Sequence, residues 1–140
     1  MRAMPISDQD GTTRDFASEL VPLIQFMEEG IPFNKYIGLK VLSLIPGQSR
    51  LFIPAAPHLV GDPFRPAIHG GVISTIADVA GGAALFAMLK SPKDRVSTVD
   101  LRIDYLQPGL ADKGLVCECS VLRMGNKVAV TRMEIFSEGE

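Results

Sequence analysis

Asp78 is the only charged residue in a nearly apolar run from Val72 to Leu89, and that run starts directly after His69-Gly70-Gly71. A carboxylate in such surroundings is costly to bury unless it has partners or a task. Gly81-Gly82, one turn later, add a helix-propensity cost of roughly 1 kcal/mol each relative to alanine. The chain accepts both costs in one place, which marks the segment as a candidate site. A carboxylate can take a proton from water. At the other end of the run, Gly70 and Gly71 stand where the chain enters a helix. The first four N–H groups of a helix lack internal partners. Without Cβ atoms, glycines let a ligand oxygen approach those donors closely. Aided by the helix dipole, such donors stabilise negative charge developing on an oxygen. Together, the two features suit the attack of water on a carbonyl carbon.

Asp78 follows Gly71 by seven residues, roughly 10 Å along a helix axis. Within one chain it is too distant to act on a carbonyl held at Gly70. Two copies packed antiparallel through this helix would bring Asp78 of one chain to the Gly70 amide of the other. The small residues Ala77, Ala80, Gly81, Gly82, Ala83 and Ala84 permit the close approach. Ser74, one turn before Asp78, is expected on the same face and within reach of it.

The elements that position these residues follow from periodicity. Residues 1–14 read as a loose polar segment, and 15–140 as one domain. Phe16, Leu20, Leu23, Ile24 and Met27 recur at helical spacing and predict a helix over 15–29, ended by Gly30 and Pro32. A short helix or turn is expected over 33–37. Strands are predicted over 39–45 and 49–53. A loop over 55–68 carries Pro57, Pro63 and Pro66, with Pro54 just before it, and so has limited backbone freedom. The apolar helix should run from Gly71 to about Leu89. Beyond it, 96–106 alternates as a strand: Val99, Leu101, Ile103 and Tyr105 face one way, Thr98, Asp100, Arg102 and Asp104 the other. Strands over 115–122 and 127–136 pair as a hairpin around Arg123-Met124-Gly125-Asn126. The expected class is α+β, one long helix lying on an antiparallel sheet.

The bulk composition bounds the function. The 140 residues are 46% hydrophobic and 21% charged, with a formal net charge of -2. That suits a folded domain and gives no general attraction to nucleic acid. Cys117 and Cys119 would share one face of a strand, where their Cα atoms cannot approach as closely as a disulfide normally requires while the strand stays extended, and they read as buried thiols in a reducing compartment. The distant His58 and His69 do not extend them into a metal site. Residues 1–10 have no signal-type apolar core, and the long apolar run is too interrupted to span a membrane. The expected location is the cytoplasm.

Three stretches carry a family resemblance. Pro66 to Ala83, with His69-Gly70-Gly71 and an acid nine residues after the histidine, resembles the hot-dog-fold acyl-CoA thioesterases of the phenylacetate-degradation (PaaI-like) group. Ser97 to Pro108, with Asp100-x-x-x-x-Tyr105-x-x-Pro108, resembles the strand after the helix in those proteins, and Arg123 to Val130 their hairpin. The likeness runs from about Phe33 to Phe136. It implies a long central helix on a curved antiparallel sheet, assembly as a dimer or dimer of dimers, and active sites between subunits. It implies that Asp78 is general base or nucleophile toward an acyl-CoA thioester, that the Gly70 amide polarises the thioester carbonyl, and that Thr98 holds the water or the acid. His69 and Gly71 would shape the loop and helix start beside the substrate. Relatives often carry asparagine or glutamine in the preceding loop; here it reads Gly61-Asp62-Pro63-Phe64-Arg65-Pro66, which puts Asp62 in that role. An ionised aspartate accepts but does not donate a hydrogen bond. It would orient water or meet a CoA-side group.

Phe64, Phe86 and Met88 are candidates for lining an acyl pocket. Arg65, Lys90, Lys93, Arg95 and Arg102 are candidates for meeting CoA phosphates, and Asp100 and Ser74 for contacting substrate. No cofactor or metal is required, since CoA is part of the substrate. The resemblance also implies a further strand after an acidic turn, where this sequence ends Ser137-Glu138-Gly139-Glu140; its lack would alter a sheet edge. Two other functions share these features: a non-catalytic acyl-CoA-binding homo-oligomer, and an acyl-thioester hydratase or dehydratase. The latter enzymes use an Asp-x-Asn-Pro-x-His arrangement that Asp62 to His69 does not reproduce.

Overall fold

The computed structural model describes residues 3–7, 13–91 and 93–140, with side chains from Glu19 onward. Strand β1 (Ala3–Ser7) pairs antiparallel with β2 (Thr13–Ala17). The segment expected to be loose therefore joins the sheet, and residues 1, 2 and 8–12 lie outside those described. The expected helix over 15–29 starts later, because Asp15 and Phe16 pair in parallel with Ser43 and Leu44. The free backbone groups of that sheet edge offer these residues more than a first helical turn would. Helical structure then runs from Ser18 through α1 (Val21–Gln25), with Pro22 in its first turn, to a wider turn over Phe26–Gly30. Helix α2 (Pro32–Ile37) stops at Gly38, whose φ of 76° lets the Gly38 and Leu39 N–H groups close back on Lys35 and Asn34 carbonyls.

Strands β3 (Lys40–Ile45) and β4 (Gln48–Ile53) form a hairpin. The proline-rich loop holds the short pair β5 (Val60–Asp62) and β6 (Ala67–Ile68). Helix α3 (Gly70–Phe86) follows, tightening after Ala83 into i→i−3 bonds at Met88 and Leu89. Strands β7 (Leu115–Met124) and β8 (Ala129–Ser137) are the predicted second hairpin. The main sheet has the order β1-β2-β3-β4-β7-β8, antiparallel except for β2 with β3. Register shifts at Val41/Ser43 and Val121/Arg123 bend it around the helix.

One expected strand is absent from the ladder. Residues 96–106 carry no strand pairing, and a cleft of ≈ 600 Å³ separates 102–109 from β8. The apolar face that the alternation predicted instead leaves Val99 88% and Tyr105 57% exposed. Within a single chain, the segment has a cleft on one side and no backbone partner on the other. The β8 edge is the one it flanks, so that edge is part-covered although no further strand is added.

Helix α3 sits close on the sheet because its inner face is small. Ile76, Ala77, Ala80, Ala83 and Ala84 are buried against Leu44, Leu51, Leu115, Cys117 and their neighbours. A Cβ on Gly81 would lie 3.1 Å from Thr131 Oγ1, so this glycine sets the approach of α3 to β8. Ser49 Oγ donates to the Ala80 carbonyl at 2.8 Å, and Gly47 N–H to the Ala84 carbonyl at 3.1 Å. Ile76 is fully buried. Ile76→Ala is therefore expected to lower the unfolding free energy by about 2–5 kcal/mol in chemical denaturation, through lost transfer energy plus a cavity.

Candidate active site

The start of α3 can be followed donor by donor. His69, the residue before the helix, accepts the Gly71 N–H on Nδ1 at 2.8 Å. An accepting Nδ1 is bare, so the proton of the neutral ring sits on Nε2. The His69 carbonyl accepts the Val72 N–H at 2.9 Å. A Cβ on Gly71 would come within 2.8 Å of Nδ1, so only glycine lets the ring close in this way. The Gly70 N–H has no acceptor among the described residues. One donor at the positive end of a 17-residue helix is thus left open.

Two turns on, Asp78 is exposed on the face of α3 turned away from the sheet, four residues before Gly82, which has open space where a side chain would be. Its partner is Thr98, whose Oγ1 donates to Asp78 Oδ1 at 2.5 Å. The second carboxylate oxygen is free to accept from water. Ser74, expected beside Asp78, bonds elsewhere: its Oγ donates to the Gly70 carbonyl at 3.2 Å and lies 2.5 Å from the Tyr105 hydroxyl. A helical serine can turn back to its own i−4 carbonyl, which carries it up the helix and away from residue 78.

Asp62 is folded into its own loop. Oδ1 accepts the N–H groups of Phe64 and Arg65 at 3.0 and 3.1 Å, and Oδ2 meets Arg65 Nε at 3.2 Å. The backbone N–H groups of Arg65 and then Phe64, with the guanidinium, hold this carboxyl below its ordinary range. The turn projects Phe64 and Arg65 outward, 93% and 92% exposed. His69, Gly71 and Asp100 are likewise exposed. The structure therefore joins Asp78 to Thr98, and His69, Gly70, Gly71 and Ser74 to one another. Within one chain it does not bring Asp62, Phe64, Arg65 or Asp100 onto Asp78. Tyr105, which the alternation assigned to a packing face, belongs to the helix start; its ring lies 3.5 Å from where a Gly70 Cβ would be.

Burial pushes the Cys117 thiol up to about 12, with Cys119 and Glu118 adding to it, and burial raises Cys119 as well. Both cysteines are free, buried and protonated, and serve as core side chains. Among the described residues, no cluster of three or more His, Cys, Asp or Glu side chains is placed to hold a metal. No described helix is long and apolar enough to cross a membrane.

The sequence model of the thioesterase superfamily matches residues 66–140. A medium/long-chain acyl-CoA thioesterase, YigI, of Salmonella typhimurium is 34% identical over 122 residues, covering 79% of this chain and 78% of that protein. Among solved structures, a Shewanella oneidensis protein related to the thioesterase superfamily aligns with a TM-score of 0.73 at 29% identity, covering 86% of this chain and 87% of that one. A mutant of the phenylacetic acid degradation protein PaaI of Thermus thermophilus aligns with a TM-score of 0.68 at 26% identity, covering 79% of this chain and 90% of that one.

The Asp62 turn has a signature in acid. Its carboxyl is lowered in the folded chain, so its contribution to stability is complete above the ordinary value of 3.8 and lost as pH falls through the folded value. Asp62→Asn should be less stable than the parent at neutral pH. The difference should close below pH 3.8, as read from denaturation midpoints across pH.

Proposed function

The chain belongs to the thioesterase superfamily, and we propose that it hydrolyses acyl-CoA thioesters to a free carboxylic acid and CoA at sites shared between two copies. The observation that carries this reading is the Asp78–Thr98 pair, held on an open helix face with one carboxylate oxygen unoccupied. The open Gly70 N–H at the helix start is the natural site for a carbonyl oxygen. Asp78 and Gly70 are roughly 12 Å apart along their own helix, so a second copy laid antiparallel would complete the pair. The uncovered face at Gly82 and the unpaired 96–106 segment, with its exposed Val99, Tyr105 and Leu106, support that assembly.

In the proposed reaction, a water held by Asp78 gives up a proton to the free carboxylate oxygen as its own oxygen bonds to the thioester carbon. Charge passes to the carbonyl oxygen, which accepts from Gly70 N–H of the facing copy. When the tetrahedral centre collapses, the C–S bond breaks and the thiolate leaves, taking up the proton that Asp78 received. The products are the acid and CoA. Thr98 holds the carboxylate's orientation. His69 and Gly71 shape the helix start, and Asp62 stiffens the loop that offers Phe64 to the acyl group and Arg65 to the CoA phosphates of a neighbouring site. Lys90, Lys93, Arg95 and Arg102 are further candidates for those phosphates, and Asp100 and Ser74 for the rim of the site. A medium or long acyl chain fits the relatives' printed activity and the ≈ 600 Å³ cleft that passes Ile73 and Ala77 beneath the site. No cofactor enters in this reading, and the buried free thiols support a reducing compartment such as the cytoplasm.

The exposure of Asp78 favours catalysis over a purely binding role for the same fold. The use of His69 Nδ1 as a cap weighs against a hydratase, which needs a histidine free to move protons. The test is thiol release from phenylacetyl-, benzoyl-, short-, medium- and long-chain acyl-CoAs. Saturable release, strongest with medium or long chains, is expected; no release from a folded protein that binds CoA would replace hydrolysis with acyl-CoA binding. Asp78→Asn should lower kcat at least about tenfold, since general-base assistance is worth about 10²–10⁴. An unchanged rate would remove Asp78 from the mechanism.

A further inference from the structure

Tyr105 lies outside the residues assigned to the reaction, yet its hydroxyl reaches the first turn of α3. It sits 2.5 Å from Ser74 Oγ and 3.4 Å from the Gly70 carbonyl, and Ser74 Oγ itself donates to that carbonyl at 3.2 Å. The three groups close a triangle. The Tyr105 ring also lies 3.5 Å from the position of a Gly70 Cβ, ordinary van der Waals contact.

We propose that Tyr105, acting through Ser74, is a positioning residue that aims the Gly70 N–H at the reacting carbonyl oxygen. The proposal rests on the oxyanion role given to Gly70 above. The physical need is specific. Glycine has no Cβ and the widest backbone freedom of any residue, and Gly70 N–H, at the very start of the helix, has no acceptor among the described residues. An oxyanion donor works because it is already oriented when charge develops, so a wandering Gly70 peptide would lose the benefit. Fixing the Gly70 carbonyl sets one side of its Cα. The ring wall stands where a side chain would restrict the other. Together they constrain both soft dihedrals of the residue, and thereby its N–H, while leaving that N–H uncovered. Tyr105 touches neither water nor thioester in this scheme.

The sequence spacing supports the division of labour. Thr98 and Tyr105 lie on the same extended segment, one bound to Asp78 and the other to the start of the same helix. One strap thus orients the group that activates water and the group that receives negative charge, each in its own chain.

The experiment uses the intact protein with a medium-chain acyl-CoA and the variants Tyr105→Phe, Ser74→Ala and their combination. Tyr105→Phe keeps the ring and removes only the hydroxyl. Its kcat should fall about tenfold or more, because small misplacements of a catalytic group are costly, with KM and melting temperature little changed. The double variant should lose no more than about twofold beyond the worse single variant, since both act through one unit. In parallel, the ¹⁵N–¹H resonances and hydrogen exchange of Gly70, Gly71 and Val72 are followed in glycine- and valine-labelled protein. Tyr105→Phe should shift the Gly70 resonance and speed its exchange without spreading through the rest of α3. An unchanged kcat, a loss confined to KM, or an unmoved Gly70 resonance would each overturn the proposal. If the parent protein releases no thiol from any acyl-CoA, the hydrolytic reading fails, and the Gly70 resonance still decides whether Tyr105 holds that amide.

Discussion

The first turn of α3 must satisfy its backbone donors without help from a preceding turn, and the site depends on how that is done. His69 serves two of them, Gly71 N–H through its ring and Val72 N–H through its carbonyl. Thr75 and Ser74 turn back to the Gly71 and Gly70 carbonyls at 2.7 and 3.2 Å. The N–H of Gly70, the first residue of the helix, stays without an acceptor among the described residues. A helix that capped every donor would be more stable and less able to bind an oxygen. The glycines follow from the same demand. Gly71 admits the His69 ring, and Gly70 leaves its N–H uncovered.

The same helix divides its circumference between stability and chemistry. Its inner face is alanine and glycine, with Ile76 as its fully buried large anchor, so α3 lies low on a sheet bent by two register shifts. The Ser49 and Gly47 bonds to the Ala80 and Ala84 carbonyls tie helix to strand at polar points that would otherwise be unpaired beneath it. With one face committed, Asp78 and Gly82 are left on the other. The desolvation cost that the apolar run suggested for Asp78 is therefore not incurred within one chain. It arises only if a partner covers that face, where Thr98 already supplies one hydrogen bond.

Much of this was legible in the sequence because the signals were local. Periodicity located α3 and its length to within a few residues. The Pro46-Gly47 and Gly125-Asn126 turns marked both hairpins. His69-Gly70-Gly71 marked where the helix begins, and Asp78 stood out as the one acid on it. What was not legible depends on the third dimension. Alternation over 96–106 predicts a strand, but alternation cannot say whether a neighbour exists to complete a ladder, and among the described residues none does. Helical spacing placed Ser74 beside Asp78; a competing backbone acceptor, the Gly70 carbonyl, took it instead. Asp62 carried no sign that both its oxygens would be used within three residues. Strand β2 overrode a helical pattern because the partner that won, β3, lies more than twenty residues away.

The unpaired 96–106 segment gains a physical reason from the two contacts it makes. Thr98 and Tyr105 are separated by seven residues, up to about 23 Å of extended chain, whereas Asp78 and Gly70 span roughly 12 Å of helix. A straight strand parallel to the helix cannot satisfy both. The chain bends at Val99, and 102–109 stands away from β8 across the cleft. Pairing fully with β8 would straighten the segment and draw its ends past the two groups they hold. The missing ladder is thus the consequence of fastening one strap to two points on a shorter rod. The cleft that results is lined by Ile73 and Ala77 of α3 and by Tyr105, whose hydroxyl reaches the helix start. The constraint that positions the polar groups therefore also leaves a cleft of mixed lining between the segment and β8.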